Sequence, residues 1–297
     1  MNASIGVTVV VPVGPDWAWL GAQLHALAEQ RLPENRSELV LSCNGSSIAA
    51  VHELARSIFV DGRWELRVID SSERRGPSHA RNAGWRAAQG EQVLFCDADD
   101  VVERGWIWGL SAGLRHADVV GGRFEYEQLN PDGVGTWGAI GTDGLPEKFR
   151  HLPFVPSGNL GVRRSALETL NGFDTELDRS EDVDFSWRAA YAGLRVAYAA
   201  DALLHVRRRE SASGLFVQAR EDACFDVPLI ERHWPHGAEW SVRDLAREAA
   251  GTLVALVQAP FGAGHRAKLA TRSGRCLGHI AAAPRMLRRS VIAGSTR

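Results

Sequence analysis

Three aspartates follow an apolar run in the stretch VLFCDADDVV. Asp97, Asp99 and Asp100 stand within four positions of one another, so their like charges repel. A divalent cation among them would remove that repulsion, and hard oxygen ligands suit Mg²⁺ or Mn²⁺. The alternative is that Asp99 or Asp100 caps the next helix. The spacing therefore predicts either a cation site or a helix start.

A second acidic group lies about eighty residues later, in the stretch DRSEDVDFSWRAA at 178–190. Some of its four acids favour the positive start of a helix, and Asp178 with Glu181 could form a capping-box-like pair. One helix start does not need four acids. The group therefore also holds a candidate general base, which must lie within hydrogen-bond reach of the proton that it removes.

The elements that must position these acids alternate between strands and helices. Apolar β-branched runs and amphipathic stretches predict the two in turn at 5–13, 16–31, 38–43, 48–58, 64–70, 77–89 and 91–97. This alternation is typical of a mostly parallel sheet covered by helices. The aspartates then lie at the carboxyl end of the fourth strand, at the edge where open α/β sheets bind ligands.

The later part of the chain is less regular before it becomes helical. The sequence predicts a helix at 103–114, extended chain at 117–127, a loop at 128–156, short elements to 170, a helix at 181–193, and a strand at 195–206. Only helical patterns follow Ser211. The predicted class is thus α/β with a helical appendage.

Composition limits the classes of function. A chain of 297 residues that is 45% hydrophobic and 24% charged fits one large globular domain, with or without an appendage. A net charge of −2 argues against attraction of the whole molecule to nucleic acid. Four cysteines without a C-x-x-C pair suggest neither a zinc site nor a disulfide framework, which fits a cytoplasmic location.

The termini and the uncharged stretch at 249–264 predict no membrane crossing. The first residues show no basic leader of a signal peptide, and the uncharged stretch is shorter than the roughly 20 residues that a spanning helix needs. We therefore expect no transmembrane segment.

Seven blocks, in order, resemble those of a known family: VTVVVPV, CNGSS, GPSHARNAG, VLFCDADD, PSGNLGVRRSAL, GFDTELDRSEDVDFSWRAAYAG and LLHVRRRES. Over about residues 5–212 the chain resembles the family 2 nucleotide-sugar glycosyltransferases, which have the A-type glycosyltransferase fold. The resemblance implies a mostly parallel central sheet flanked by helices. It also implies a catalytic domain at 1–212, with nucleotide binding in 1–100 and acceptor binding in 101–212. The remaining residues, 213–297, would form a helical C-terminal extension.

The resemblance implies an inverting transfer of a sugar from a nucleoside-diphosphate donor to a hydroxyl acceptor, with Mn²⁺ or Mg²⁺ as cofactor. Asp97-Ala98-Asp99 matches the family's Asp-x-Asp element, so Asp97 and Ala98 would contact the donor and Asp99 the metal. Glu181 and Asp182 match its Glu-Asp pair and are the expected catalytic residues, with Asp182 as the base. The expected leaving group is a diphosphate, whose growing charge a cation stabilises.

His205 matches the family's late histidine and is a candidate second metal ligand. Taken alone, a histidine near a strand end is more typical of a packed side chain than of a metal ligand. The run Arg207 to Arg209 suits phosphate oxygens, although such a run is equally typical of a solvated face.

The positions that match the family's nucleotide-binding residues are Pro12, Val13, Cys43, Asn44, Gly76 and Arg81. Turn chemistry and helix capping explain Gly76 and Asn44 equally well. Family members commonly carry Asp where this chain has Cys43, and a thiol is a poor acceptor for the uracil ring. This departure weakens the expectation of a UDP-sugar and leaves a GDP- or dTDP-sugar open.

The acceptor is expected between the loop at 128–156 and Ser157–Asn159. Trp137, Phe149 and Phe154 could stack on a sugar or a lipid, or simply pack. The acceptor alternatives are a glycan or lipid in cell-envelope polysaccharide or glycolipid assembly, or a small molecule in natural-product biosynthesis.

The C-terminal helices mix apolar residues with arginine, and no acid follows Glu248. They could lie on an anionic membrane surface, pack on the catalytic domain, or form a homodimer contact.

Two other readings of the whole chain compete with an enzyme of this family. The first is a non-catalytic sugar-nucleotide or glycan-binding module on the same fold. The second is a nucleotidyltransferase, but PVGPDWAW lacks the glycine-rich, basic phosphate loop that it needs after the first strand. Asp97, Asp99, Glu181, Asp182 and His205 together favour the enzyme.

Overall fold

A computed structural model describes residues 5–32, 36–131, 140–209 and 211–294. The chain separates into two compact units. The first contains the described residues up to Glu125 together with Ile140–Pro146 and Pro153–Arg207. The second contains Glu147–Leu152 and the described residues within Tyr126–Ala139 and Arg208–Arg297.

The first unit is built on an eight-stranded sheet in the order β3-β2-β1-β4-β7-β6-β8-β5. Strands β1 to β4 pair in parallel, β7 runs antiparallel to both of its neighbours, and β6 pairs in parallel with β8. The strand bounds are β1 Ile5–Val13, β2 Arg36–Cys43, β3 Trp64–Asp70, β4 Gln92–Cys96, β5 Val101–Val102, β6 Val119–Glu125, β7 Asn159–Arg163 and β8 Val196–His205. The predicted α/β class with a mostly parallel sheet is confirmed.

Helices flank this sheet at α1 Leu20–Ala28, α2 Ile48–Ile58, α3 Pro77–Ala87, α4 Trp106–Leu114, α5 Arg164–Leu170 and α6 Glu181–Tyr191. The first helix is shorter than the predicted 16–31. A turn precedes it, in which the carbonyls of Trp17 and Trp19 accept the amide N–H groups of Leu20 and Ala22. The two-residue strand β5 was not predicted, because two residues carry no periodic signal.

One core cluster joins the elements that end at the two acidic groups. Phe95 of β4 lies edge-on to Phe173, with ring centroids 5.5 Å apart, and Phe173 lies 4.8 Å from Phe185 of α6. Burial of such large rings stabilises by roughly 1.5–3 kcal/mol each. The acids that follow β4 and those that begin α6 are therefore attached to the same packed core.

The second unit is helical, with α7 Ala212–His233, α8 Val242–Gln258 and α9 Ala263–Gly294. Two glycines bring α9 against α7: a Cβ at Gly274 would lie 2.2 Å from the Phe216 carbonyl oxygen, and one at Gly278 2.7 Å from that of Arg220. Helix α8 begins at a capping box formed by Ser241 and Asp244. Among the described residues, no helix has both the length and the hydropathy needed to cross a bilayer.

Candidate active site

The acid loop, Asp97 to Asp100, leaves the carboxyl end of β4 and is held by buried Gln23 of α1. Gln23 donates from Nε2 to the Asp97 carbonyl oxygen at 3.0 Å, and its Oε1 accepts the Val102 N–H at 3.1 Å. Sequence reasoning missed Gln23. The signal was a glutamine on the core-facing side of an apolar helix, where a polar side chain needs a partner.

Negative charge accumulates in this loop. Asp100 is buried and its Oδ1 accepts the backbone N–H of Arg207 at 2.8 Å. Burial, together with the charges of Asp97 and Asp99, raises the pKa of the Asp100 carboxyl well above its ordinary value. Asp99 is exposed. The loop thus brings three carboxylates together, one of them buried.

The second acidic group begins α6 after a left-handed turn. Ser180 has φ +60° and precedes Glu181 and Asp182, the first two residues of the helix. Ser180 is the N-cap residue and its side chain makes no capping hydrogen bond, so the capping-box pairing of Asp178 with Glu181 is not formed. The positive end of the helix favours both carboxylates.

Arg81 joins the two acidic groups. The residue is 4% exposed, and its guanidinium donates from Nη2 to Asp97 Oδ1 at 2.6 Å and from Nη1 to Glu181 Oε1 at 2.9 Å. Its Nε–H is buried without a protein partner. A single fork of donors is suited to two carboxylates. Arg81, predicted as a nucleotide-binding residue, therefore contacts both of the predicted acid groups.

Glu181 and Asp182 occupy different surroundings. Burial and the Asp182 carboxylate raise the pKa of Glu181 to about 7. Asp182 is partly exposed, and its two oxygens accept the backbone N–H groups of Val183 at 2.8 Å and Ser157 at 3.3 Å. The Ser157 hydroxyl donates to Glu181 Oε1 at 3.3 Å. Ser157 thus contacts both acids, a role that the sequence did not indicate.

Gly158 lets the chain before β7 approach the acid loop. A Cβ at this position would lie 2.8 Å from Asp97 Oδ2 and 3.8 Å from Asp100 Oδ2. The neighbouring Asn159 is fully buried, and its amide contacts Trp106 and the carbonyls of Arg123 and Ala202. Of the residues 157–159, the first two therefore face the acids and the third holds the sheet.

The other predicted nucleotide-binding residues lie at the carboxyl ends of β1 and β2. Val13 is buried and its carbonyl accepts the Asn44 N–H at 2.8 Å, and Pro12 beside it is partly buried. The Asn44 amide donates to the carbonyls of Ser71 and Arg74 and accepts the N–H of Gly76. Gly76 has φ +127° and precedes α3, which agrees with the turn and capping interpretation of these two residues.

Cys43 is fully buried at the end of β2, and burial raises the pKa of its thiol. It lies in register with Asp70 at the end of β3. Asp70 is exposed, and hydrogen bonds from the Ser72 N–H and hydroxyl lower the pKa of its carboxyl. At this edge, β3 therefore presents an exposed hydrogen-bond acceptor, the Asp70 carboxylate, whereas β2 ends on a buried thiol.

His205 ends β8 and pairs with Val101, directly after the acid loop. It is buried, with Nδ1 2.6 Å from Glu125 Oε2 and Nε2 3.2 Å from Glu103 Oε2. The ring is thus oriented by a carboxylate on Nδ1, the arrangement that commonly accompanies a metal-binding histidine. In this structure its second nitrogen faces a glutamate.

Arg207 extends the acid loop's contacts. It donates from Nε to the Asp99 carbonyl at 3.1 Å, and its guanidinium lies 3.8 Å from the ring centroid of Trp19. Arg208 belongs to the second unit, where its guanidinium lies 4.8 Å from the Tyr126 ring. The arginine run predicted for phosphate is thus divided between the two units.

The acid loop fits a hard divalent cation by its donor set, since it offers three carboxylates within four positions. Within the described ranges, no three His, Cys, Asp or Glu side chains are grouped so that they could hold a metal by themselves. Cations bound beside phosphates commonly take only one or two protein carboxylates. The loop would therefore supply part of a coordination shell that substrate oxygens and water complete.

Of the predicted acceptor aromatics, Phe154 is buried, and Phe149 packs on the core of the second unit. Both positions agree with the packing alternative. Trp137 lies outside the described residues.

The sheet with acids at its carboxyl edge has the A-type glycosyltransferase fold. The mannosyltransferase PcManGT from Pyrobaculum calidifontis, in complex with GDP-Man and Mn²⁺, matches with a TM-score of 0.64 at 20% identity, over 93% of this chain and 86% of that one. TarS 1–349 of S. aureus, in complex with UDP, matches with a TM-score of 0.54 at 18% identity, over 94% and 92%.

Sequence comparison then gives the family. The model of glycosyl transferase family 2 matches residues 8–170, and the chain belongs to this family. It is similar to the pre-mycofactocin glycosyltransferase of Mycobacterium tuberculosis, at 28% identity over 237 residues, which cover 76% of this chain and 48% of that protein. It is also 26% identical over 200 residues to glycosyltransferase AglE of Haloferax volcanii, over 66% and 65%. The chain thus spans about half the length of the first relative. The predicted family and fold are confirmed.

Proposed function

We propose that this chain is an inverting, metal-dependent glycosyltransferase that moves a sugar from a nucleoside-diphosphate donor to a hydroxyl acceptor. The observation that carries the proposal is the Arg81 bridge between Asp97 and Glu181. It brings the donor-side and base-side acids, about eighty residues apart in sequence, to one side chain. The rival proposal, a non-catalytic donor-binding module, requires only the donor side.

Asp182 is proposed as the base that removes the acceptor's proton. It is the more exposed of the two acids, and two backbone N–H groups fix its oxygens. Glu181 is buried against Arg81 and Ser157, so it acts as a positioning residue. Base catalysis of this kind contributes typically ~10²- to 10⁴-fold.

The acid loop is proposed to bind the donor diphosphate together with Mn²⁺ or Mg²⁺, which Asp99 and His205 would hold. A bound cation would stabilise the negative charge that grows on the leaving diphosphate. Asp97 would contact the donor while Arg81 neutralises one of its oxygens. With the leaving group and the base on opposite faces of the anomeric carbon, transfer inverts the configuration.

We propose that the nucleobase of the sugar donor is guanine. Buried Cys43 supplies no strong acceptor, whereas Asp70, in register with it, supplies an exposed carboxylate. A carboxylate can accept two parallel hydrogen bonds from the N1–H and N2–H of guanine, which uracil and thymine cannot provide. The structural neighbours are named with GDP-Man and with UDP, so the fold accommodates either kind of base.

The proposal is tested by thermal shift with GDP, UDP and dTDP, with and without Mn²⁺, and then by release of nucleoside diphosphate from the matching sugar donors. A ligand that binds the native state raises its apparent stability, and at a fixed ligand concentration the rise grows with the logarithm of the affinity. We expect a cation-dependent shift that is largest for GDP, followed by turnover. Tight binding with no turnover of any donor would favour the non-catalytic module.

A further inference from the structure

The second unit leaves an apolar strip exposed along α8. The strip consists of Leu253, Val254, Leu256 and Val257, and of Phe261 in the short 3-10 turn that follows. Val257 is 73% exposed and Phe261 is 76% exposed. Single exposed apolar residues are ordinary on protein surfaces, but a contiguous group of large ones marks a surface that contacts something else.

The spacing shows that the strip is one side of a helix. Leu253, Val254 and Val257 recur at intervals of three and four residues, which places them on a common face. The other side of α8 packs on α9. There, Glu248 contacts His279, and Gly251 lies beneath the guanidinium of Arg272. The strip is therefore a face that helix packing within this unit does not use.

Arginines lie on the exposed side of α8, whereas the acids of this helix, Asp244 and Glu248, are each paired within the second unit. After Glu248 the sequence contains no Asp or Glu, while Arg266, Lys268, Arg272 and Arg275 follow in α9. Upstream, Arg243 and Arg247 are exposed on α8, at helical spacing from the strip. Arg247 also lies 3.3 Å from Asp244. An apolar face that shares its helix with exposed arginines is the pattern of a helix that lies in the interface of an anionic bilayer.

We propose that the α8 strip binds the surface of an anionic lipid bilayer, with Leu253, Val257 and Phe261 among the acyl chains and the exposed arginines of α8 at the lipid phosphates. A second copy of the chain fits this surface less well. A two-fold contact would place arginine-bearing surfaces opposite each other, where like charges repel. The contact proposed is peripheral, with α8 lying along the membrane plane.

The test uses the full chain and vesicles of phosphatidylcholine, with and without phosphatidylglycerol. We expect co-sedimentation with the anionic vesicles that weakens at high salt, because the lipid potential is screened. The double variant Val257→Asp, Phe261→Asp should lower the partition by at least about tenfold, since it removes two buried apolar groups. The matched control is Val60→Asp in the first unit, at a side chain that is 79% exposed. The control should bind like the unchanged chain.

A second pair of variants separates charge from apolar contact. Arg243→Gln with Arg247→Gln should weaken anionic vesicle binding by about fivefold for each arginine. Arg56→Gln, an exposed arginine of α2, serves as the control. Thermal unfolding of every variant verifies that it is folded before its partition is compared.

Three outcomes would overturn the proposal. The first is that the unchanged chain fails to sediment with anionic vesicles. The second is that the Asp double variant sediments as well as the Val60→Asp control. The third is a dimer, seen by light scattering, that the double variant abolishes while vesicles are not bound. Because no donor is present, these outcomes are independent of the proposed transferase activity. Turnover assays alone decide that activity.

Discussion

Two buried networks of charged side chains, one in each unit, differ in their balance. In the first unit, Arg81 is the cation for Asp97 and Glu181, with Asp182 and the rest of the acid loop beside them. In the second unit, His279 lies between Asp226 and Glu248 at 3.0 and 2.7 Å, and Lys148 pairs with Asp226. In the first network three carboxylates, Asp97, Glu181 and Asp182, act on one guanidinium, whereas the second matches two carboxylates with two cationic groups.

The pKa directions follow that difference. Burial and the Asp182 charge raise the pKa of Glu181 to about 7, as expected where negative charge is in excess. Burial alone would lower the pKa of His279, but hydrogen bonds to Asp226 and Glu248 raise it to about 9. We interpret the first network as the side of the proposed site that would receive a cation, and the second as a cluster that holds helices together.

The largest expected effect is on catalysis in the unbalanced network. Asp182→Asn should lower transfer by ~10²- to 10⁴-fold, because the amide cannot take the acceptor's proton. Donor affinity should stay within about twofold, since the acid loop is unchanged. Single-turnover kinetics and donor titration measure the two separately. Glu176→Gln, an exposed acid in the same region, is the control. Normal turnover of Asp182→Asn would remove this residue from the mechanism.

The largest expected effect on stability is at Arg81. Arg81→Gln removes the ion pair of buried Glu181 and that of partly exposed Asp97, and should cost ~3–5 kcal/mol of unfolding free energy. A carboxyl with a raised folded pKa binds its proton more readily in the folded state. The contribution of Glu181 to folding is therefore complete below its ordinary pKa of 4.5. It is lost as pH rises through the folded pKa of about 7. Denaturant unfolding should show a larger deficit at high pH than at low pH. The exposed Arg63→Gln should cost no more than about 1 kcal/mol, and equal costs for both variants would contradict the account.

The balanced network is tested at His279. His279→Gln should cost about 2 kcal/mol at neutral pH, the size of a charge-assisted hydrogen bond. Because the folded pKa of His279 is raised, its contribution is complete below 6.5 and is lost as pH rises through about 9. Thermal unfolding against pH should show this loss in the unchanged chain and not in the variant. A large loss of donor affinity in the folded variant would mean that the two networks do not differ in role.

The smallest effect is expected at Ser157. Ser157→Ala removes the hydroxyl bond to Glu181 and keeps the N–H that Asp182 accepts. One such bond is worth ~1 kcal/mol, or about fivefold in kcat. Ser57→Ala, whose hydroxyl donates only to its own helix at Leu54, should have no effect. Equal kinetics for the two variants would leave Ser157 without a positioning role.

Sequence reasoning recovered the parts of the fold that carry a local signal. Strands β1 and β3 and helix α2 have the predicted bounds, because β-branched runs and amphipathic spacing are continuous there. Strand β5 exists only through its pairing with β8, which no local pattern shows. Residues 147–152 group with the C-terminal helices through long-range contacts that the sequence does not encode locally.

The candidate site was predictable by residue type and less so by contact. The acid clusters after β4 and at the start of α6 can be identified directly in the amino-acid sequence. That Arg81 contacts both of them depends on how α3 packs. His205 contacts Glu103, which follows β5, and Glu125, which ends β6. No sequence motif links these three positions.

The most direct measurement is calorimetric titration of GDP with Mn²⁺ into the unchanged chain, Asp99→Ala and Asp182→Asn. The account predicts cation-dependent binding by the unchanged chain, its loss in Asp99→Ala, and its retention in a catalytically inactive Asp182→Asn. Cation-dependent binding that survives in Asp99→Ala, or that disappears in Asp182→Asn, would contradict the division of the site into a cation-bearing donor side and a separate base.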